Sequence, residues 1–383
     1  MTLTLFVCKN ALRNKRRSVL TMVGMGFSLL LLCFLMVVWR SFYVDPGSAQ
    51  SAQRLIMQHR VSLANPLPAY YRDQIRRVSG VTHVVPLSWF GGIYRDNKPE
   101  NFFARFGTDP GEFFETYKEL SIPADQLEAW IRDRAGAVAD IELARKHGWK
   151  VGDRIVIRGD IYPMTLELTL RGLFQSPLPN QTLYFNWKYA EEATVFAKGK
   201  AGTIAILADS PQNVDSVATE LDRMFSNAPE PTKTMSERSY QLSFISMLGN
   251  VRTFILSISL AVVFTSLLVA GNTMAMSTRE RTREVAVLKT LGFRQDTILG
   301  LLVGEGVMIS LLGGILGSLS ALVLLIALSQ SQYAAMFLGM QRQWVHTLLP
   351  AWSLAAVVGF ASAFVPAYNA SRIDIVEGLR HIG

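Results

Sequence analysis

Histidines, carboxylates and glycine-rich turns are the features of this 383-residue sequence that could support catalysis or cofactor binding. The histidines do not share the short spacings that gather several ligands around one metal ion; they are His59, His83, His147, His346 and His381. The sequence contains neither the Gly-x-x-x-x-Gly-Lys-Ser/Thr loop that cradles nucleotide phosphates nor a Gly-x-Ser-x-Gly turn. We therefore expect no catalytic, metal-binding or cofactor-binding residue in this chain, and a membrane enzyme with an exported catalytic domain is the disfavoured alternative.

Glu305 has the most unusual position among the acidic residues. It lies about two helical turns inside an apolar segment that begins near Ile298. A carboxylate at that depth in a membrane is costly unless a partner or water stabilises its charge. We favour a position in the inner headgroup layer, where Glu305 caps Lys289 or Arg294. The alternative is a conformational or proton-linked switch.

A cationic, helix-forming insert occupies residues 278–296, between two apolar segments. Arg279 and Arg283 lie four apart, and so do Glu280 and Glu284. In a helix these two rows lie side by side, so that opposite charges meet along one ridge. Val285, Leu288 and Leu291 form an apolar stripe at helical spacing. Gly292 follows at the point where such a helix would stop. The pattern predicts a short amphipathic helix that a soluble partner could push or pull, although a charged loop that only fixes topology is equally compatible.

Four apolar segments are each long enough to cross a hydrocarbon core of about 30 Å; they are residues 18–43, 251–277, 297–328 and 347–368. The first is too long for the apolar part of a signal peptide and lacks a small-residue cleavage site, so we predict an uncleaved anchor. The third must tilt, kink or protrude. Gly313 and Gly317 form a ridge of small residues on the third segment, which permits close helix packing either within the chain or in a dimer.

Basic residues are concentrated beside the apolar segments, and they account for most of the formal net charge of +8. This distribution is typical of positive-inside topology and not of a nucleic-acid-binding surface. It places residues 1–17, predicted to form an amphipathic helix, the insert 278–296 and the tail 369–383 in the cytosol. The large segment 44–250 and the short connection 329–346 then lie on the opposite side.

The segment 44–250 reads as an α/β domain that can bury a core of its own. The cysteines, Cys8 and Cys33, lie outside it, so no disulfide is expected there. Its predicted helices are residues 69–78, 123–134 and 213–225, together with a short helix that ends at Gly148. Its predicted strands are 81–86, 102–106, 154–158, 166–173 and 203–208, of which 154–158 and 166–173 are predicted to pair as a hairpin. A stalk helix over 236–252 is predicted to continue into the second span.

Several motifs resemble the signature of the MacB/FtsX-type permeases of ABC transporters. They are the run Glu-Arg-Thr-Arg-Glu-Val-Ala-Val-Leu-Lys-Thr-Leu-Gly-Phe-Arg at 280–294, Ile298, Glu305, the Leu-Leu-Gly-Gly-Ile-Leu-Gly run at 311–317 and the closing segment 366–380. Residues 143–153 are similar to the extracytoplasmic domain of that family. The resemblance implies a membrane α-helical fold with four transmembrane helices, plus an extracytoplasmic α/β, MacB-like porter domain inserted between the first and second helices.

The resemblance also implies a type VII ABC transporter with two permease subunits, the second being either a copy of this chain or a paralogue. Because only a short segment precedes the first span, we expect a separate dimeric ATPase to bind ATP and Mg²⁺. In the family, the insert couples to the ATPase, and motion passes along the second span to the outer domains. The implied coupling residues here are Arg279, Glu280, Arg283, Glu284, Val285, Leu288, Leu291 and Gly292.

The sequence is compatible with three functions for such a permease. The favoured use, in the bacterial inner membrane, is export of a periplasmic substrate through an adaptor and an outer-membrane channel. The second is extraction of lipoproteins or lipids from the outer leaflet, for which contact with membrane lipid would be required. The third is a signalling permease that activates a cell-wall hydrolase, although the length of the outer domain argues against it.

Overall fold

A computed structural model describes residues 15–44, 51–177, 181–247, 249–329 and 340–376 of the chain. Two compact units are present. The helical unit comprises residues 1–45, 250–331 and 339–383, and the α/β unit comprises residues 46–249 with 332–338. The predicted N-terminal helix at 1–17 lies almost wholly outside the described residues, and so does much of the tail 369–383.

The helices and strands are numbered in chain order. The helices are α1 (Lys15–Tyr43), α2 (Tyr71–Ile75), α3 (Pro110–Thr116), α4 (Ala124–Arg132), α5 (Ile141–His147), α6 (Trp187–Ala193), α7 (Val214–Met224), α8 (Glu237–Met247), α9 (Val251–Glu280), α10 (Thr282–Thr290), α11 (Gln295–Ser329) and α12 (Met340–Arg372). The strands are β1 (Arg54–His59), β2 (Leu67–Pro68), β3 (Val81–Trp89), β4 (Gly92–Tyr94), β5 (Ala104–Thr108), β6 (Gly136–Asp140), β7 (Arg154–Gly159), β8 (Thr165–Phe174), β9 (Thr182–Asn186), β10 (Lys200–Ala201), β11 (Thr203–Ala208) and β12 (Thr232–Ser236).

Four of the described helices are long and apolar enough to cross a membrane, as the sequence predicts; these stretches are Ser18–Ser41, Val251–Glu280, Gln295–Leu328 and Trp344–Arg372. The fourth continues through Pro366 to Arg372, beyond the predicted end of that segment at 368. The helix continues because the residues beside this proline are packed inside the helical unit. Ala363 and Ala367 are each 0% exposed, and Ala370 is 4% exposed. Packing of this kind lets membrane helices tolerate proline.

The glycine ridge of α11 lies directly against α1. A Cβ atom added at Gly317 would stand 2.5 Å from the carbonyl oxygen of Gly26, and one at Gly313 would stand 2.8 Å from the Met25 Cβ. In contrast, a Cβ at Gly300 would meet nothing within 4 Å. Gly313 and Gly317 therefore serve close packing within the chain, where two helix backbones approach without side chains between them.

The α/β unit is built on a ten-stranded sheet with the order β12-β1-β11-β3-β5-β9-β6-β8-β7-β4. The predicted hairpin is confirmed, because β7 and β8 pair antiparallel with Arg154 opposite Thr169. Most neighbouring strands are antiparallel, but β5 pairs parallel with β9 and β6 pairs parallel with β8. Helices α3 and α4 pack on the sheet around Trp130, which is fully buried.

Helix α5 shows how short-range signals fix the local structure of the α/β unit. Asp140 caps its N-terminus, where the carboxylate accepts a hydrogen bond from the Glu142 backbone N–H at 2.9 Å. At the other end, Gly148 adopts a φ of 71°, and the Trp149 N–H donates to the Ala144 carbonyl oxygen at 2.8 Å. This geometry requires a left-handed residue after the helix, so the predicted stop at Gly148 is confirmed.

The same turn gives His147 an unusual titration. Its ring stacks on Trp149 with centroids 4.9 Å apart and meets Tyr94 edge-on. Burial, together with the positive charges of Lys146 and Arg95, lowers the pKa of His147 from 6.5 to about 4. The unfolded chain therefore takes up this proton at a higher pH than the folded chain does, and protonation favours unfolding.

We expect the α/β unit to lose stability as the pH falls from about 6.5 to about 4, the window set by the two pKa values of His147. A His147→Gln variant lacks this proton uptake, so its loss over the same window should be smaller. Thermal unfolding of the full chain at both pH values measures the difference. An equal loss in the two proteins would contradict the prediction.

The predicted continuous stalk over 236–252 is wrong. Helix α8 ends at Met247, and α9 begins at Val251. Gly249 adopts a φ of 96°, which no right-handed helix accommodates, and the Asn250 side chain accepts a hydrogen bond from the Thr253 N–H as the cap of a new helix. A glycine followed by asparagine was the signal in the sequence for this break.

Candidate functional site

The predicted amphipathic helix exists as α10, but it is shorter than the predicted segment 278–296. Arg279 and Glu280 belong to the last turn of α9, and Arg283 and Glu284 belong to α10. Between them, Arg281 leaves the helical conformation with φ of −105° and ψ of 11°. The predicted ridge of four charges is therefore divided by a kink.

Helix α10 ends in a Schellman motif. The Phe293 N–H donates to the Leu288 carbonyl oxygen at 3.1 Å, and the Gly292 N–H donates to the Lys289 carbonyl oxygen at 3.0 Å. Gly292 has a φ of 88°, which a residue with a side chain rarely adopts. The motif gives the predicted stop at Gly292 a structural basis and turns the chain sharply towards α11.

The predicted apolar stripe does not lie on one face. Val285 is buried and Leu288 is half-buried in a cluster with residues of α11 and α12, whereas Leu291 is 70% exposed. Each step of three residues rotates the side-chain direction by about 60° from the starting face, so Leu291 points about 120° away from Val285. Val287 and Phe293 are also exposed, at 42% each.

The exposed apolar surface of this region is therefore Val287, Leu291 and Phe293, which we call the α10 knob. The sequence reasoning missed two of the three. Val287 and Leu291 are four residues apart, a spacing that was present as a signal but was masked by the stronger three-residue spacing. Phe293 comes after the helix end, where periodicity no longer applies.

A buried ion pair fastens the kink before α10 to α11. Arg281 is 8% exposed and Glu305 is 4% exposed. The Arg281 Nη1 atom donates to the Glu305 Oε2 atom at 2.5 Å. Charge-assisted pairs of this kind are the strong class of hydrogen bond. Since Arg281 precedes the first residue of α10, the pair holds the start of this helix against α11.

The structure corrects the expected partner of Glu305. The sequence suggested Lys289 or Arg294, but Lys289 Nζ donates to the Ile373 carbonyl oxygen at 2.7 Å, and Arg294 is exposed. Glu305 lies about 15 Å along α11 from Gln295, at the depth of the kink. The kink points the side chain of Arg281 inward, and sequence spacing alone could not show this.

Helix α10 is therefore held at both ends. Arg281 fixes its beginning to α11, and Lys289 fixes its last turn to the carbonyl end of α12. A basic side chain at the C-terminal end of a helix also stabilises the helix dipole. The body of α10 is held by Val285 and Leu288 in the shared apolar cluster. Helix α10 is therefore attached to both α11 and α12.

A cavity of about 500 Å³ lies beside the buried ion pair, between α10 and α11. Its lining combines charged residues, among them Arg281, Glu284 and Glu305, with apolar residues that include Leu288 and Ile298. Among the residues that the structure describes, no three His, Cys, Asp or Glu side chains come close enough to hold a metal ion.

Family comparisons cover both units of the chain. The family described as "MacB-like periplasmic core domain" matches residues 18–224, more than half of the chain. The family described as "FtsX-like permease C-terminal" matches residues 256–375, which include α10, Glu305 and the glycine ridge.

The chain is also similar to individual proteins. An uncharacterised ABC transporter permease of Methanocaldococcus jannaschii is 21% identical over 98% of this chain and 96% of its own length. A macrolide export ATP-binding/permease protein, MacB, of Syntrophobacter fumaroxidans is 26% identical over 58% of this chain, but the match spans only 28% of that protein. The crystal structure of the periplasmic region of MacB from Actinobacillus actinomycetemcomitans is 11% identical, covers 54% of this chain and 97% of that chain, and has a TM-score of 0.38.

Proposed function

We propose, from the premise that this chain belongs to the MacB/FtsX-like family of ABC transporter permeases, that it transmits the ATP-driven motion of a separate ATPase to its extracytoplasmic domain. The chain is a multi-pass membrane protein, with the α/β unit as that domain. In the proposal, the ATPase dimer binds ATP and Mg²⁺, and this chain supplies no catalytic residue.

The observation that carries the proposal is the α10 knob on a helix held at both ends. An exposed apolar cluster on a membrane protein favours contact with a soluble partner. A knob on a loose loop could bind a partner without moving anything else. Here the buried Arg281–Glu305 pair and the Lys289 hydrogen bond tie the knob to α11 and α12. In the proposal, the helix that binds the ATPase is therefore also the helix that passes its movement to α11 and α12.

We assign α10 to the cytosolic side, which supports an inner-membrane protein with both termini in the cytosol. The exposed Arg279, Arg283 and Arg294 flank the knob and agree with positive-inside topology. Two permease subunits, each with one α10, would match the two subunits of an ATPase dimer. The second subunit is a copy of this chain or a paralogue.

For the transported material, we propose export of a periplasmic substrate with the help of an adaptor and an outer-membrane channel. Support comes from a relative whose name states macrolide export. The chain spans only about a quarter of that relative, so the assignment rests on the shared permease portion.

Leu291→Asp tests the coupling proposal. Because Leu291 is 70% exposed, the substitution should leave the thermal stability of the chain unchanged. A charge placed at the centre of an apolar contact should weaken ATPase binding by at least about tenfold, as at interface hot spots. The measurement is the Kd between the ATPase and the permease in lipid nanodiscs, together with permease-stimulated ATP hydrolysis.

Val195→Asp is the matched control, because Val195 is an 84% exposed apolar residue of the α/β unit. It should bind and stimulate the ATPase like the unmodified chain. Leu288→Asp is unsuitable, since Leu288 packs inside the helical unit and its replacement would disturb folding. The proposal is wrong if Leu291→Asp binds and stimulates the ATPase normally.

A further inference from the structure

Arg54 is a fully buried cation in the α/β unit, with 1% exposure. Its Nε donates to Glu237 Oε2 at 2.9 Å, and its Nη1 donates to the Thr116 carbonyl oxygen at 2.9 Å and to Glu119 Oε2 at 3.1 Å. Nη2 also donates to the Glu119 carboxylate. The guanidinium carbon lies 4.0 Å from the centroid of the Tyr117 ring. The side chain thus bonds two carboxylates and a carbonyl at once.

These partners belong to segments that are far apart in the sequence. Arg54 is the first residue of β1, the first strand after α1. Glu237 is the first residue of α8, the last helix before α9. Both connections between the α/β unit and the membrane-spanning helices therefore begin next to one guanidinium group. Glu119, which follows α3, is the second carboxylate that pairs with Arg54.

The side chains of helix α8 are shallowly buried on the α/β unit. None of its described side chains is fully buried, and Tyr240 is the residue that joins a core cluster, where it is half-buried. A helix without a buried apolar stripe gains little from packing. Glu237, with its side chain 14% exposed and paired with Arg54, therefore fastens its first turn by a charged contact.

We propose that Arg54 is a positioning residue that fixes the first turn of α8 on β1, so that a displacement passed from α9 across the break at Gly249 and Asn250 to α8 turns the whole domain. Without the pair, the same displacement would bend the first turn of α8 away from β1 and leave the domain behind. The inference rests on the proposed function, because it concerns how motion reaches the extracytoplasmic domain.

Glu237→Gln is the principal test, because it removes one charge and keeps the Arg54–Glu119 pair that supports the fold. We expect amide hydrogen exchange of residues 237–247, measured in the full chain in nanodiscs, to rise at least tenfold. Exchange of β11, which is inside the sheet, should not change. Arg54→Lys should show a smaller rise, since a lysine keeps the charge but cannot bond several partners in a fixed fork. Arg154→Met is the control, because Arg154 pairs with Glu167 on the exposed surface.

In the assembled transporter, Glu237→Gln should retain ATPase binding and ATP hydrolysis but lose at least half of the transport rate. Unchanged exchange in α8 would overturn the proposal. Raised exchange with normal transport would also overturn it, because the fastening would then have no role in positioning. These outcomes differ from failure of the proposed function, which shows as normal ATPase binding by Leu291→Asp.

Discussion

Replacing Glu305 with alanine is expected to lower the free energy of unfolding of the helical unit by about 3–5 kcal/mol, the usual result of breaking a buried ion pair. Arg281 is 8% exposed and would keep its charge without the carboxylate that stabilises it. Because Arg281 also fixes the beginning of α10, the variant should still bind the ATPase through the knob but should transmit less of its motion.

A double variant separates stability from coupling. Replacing both members of a buried pair with apolar residues is often neutral for stability, so Arg281→Met with Glu305→Met should recover most of the loss. It should not recover coupling, since an apolar contact lacks the fixed geometry of the charged pair. The measurements are thermal unfolding and the ratio of transport to ATP hydrolysis in nanodiscs.

Glu128→Ala is the matched control, because Glu128 and Arg132 form an exposed ion pair in the α/β unit, with side chains 66% and 79% exposed. It should change neither stability nor coupling measurably. If the double variant transports normally, the pair is a stabilising contact only, and α10 must act on α11 by another route.

Glu305→Gln addresses the proton-linked alternative, because it removes the titrating group and should abolish any pH dependence of transport that Glu305 causes.

The sequence predicted the existence of α10 but not how it is held. Arg279, Arg281 and Arg283 look alike in a sequence, and only the backbone change at Arg281 turns one of them inward. The stripe of Val285, Leu288 and Leu291 was read as one face because the rotation of each three-residue step is small. Over two steps the rotation reaches about 120°, which leaves Val285 buried and Leu291 exposed.

In the α/β unit, the sequence predicts features that depend on neighbouring residues, but it does not predict the pairing of strands that are far apart in the chain. The stop at Gly148 and the hairpin of β7 and β8 depend on neighbouring residues, so their sequence signals are strong. Strands β6 and β9 were missed, because every residue in them is buried. A strand buried on both faces shows no alternation, and β9 pairs with β5 from more than 70 residues away.

Gly317→Ala is the second substitution for which we expect a large effect. The added Cβ would stand 2.5 Å from the Gly26 carbonyl oxygen and 2.8 Å from the Leu30 backbone nitrogen, so one of the two helices must shift. Overpacking of this kind costs about 1–3 kcal/mol. The variant should lower the Tm of the chain in nanodiscs, and it should also reduce the yield of folded protein.

Gly300→Ala provides the opposite case on the same helix. Its added Cβ meets nothing within 4 Å, and alanine in an exposed helix position is favoured over glycine by up to about 1 kcal/mol. The two alanine variants should therefore shift the Tm in opposite directions although they differ only in position. If Gly317→Ala left the Tm unchanged and weakened association between permease subunits, the ridge would be a dimer seam and its contact with α1 would be secondary.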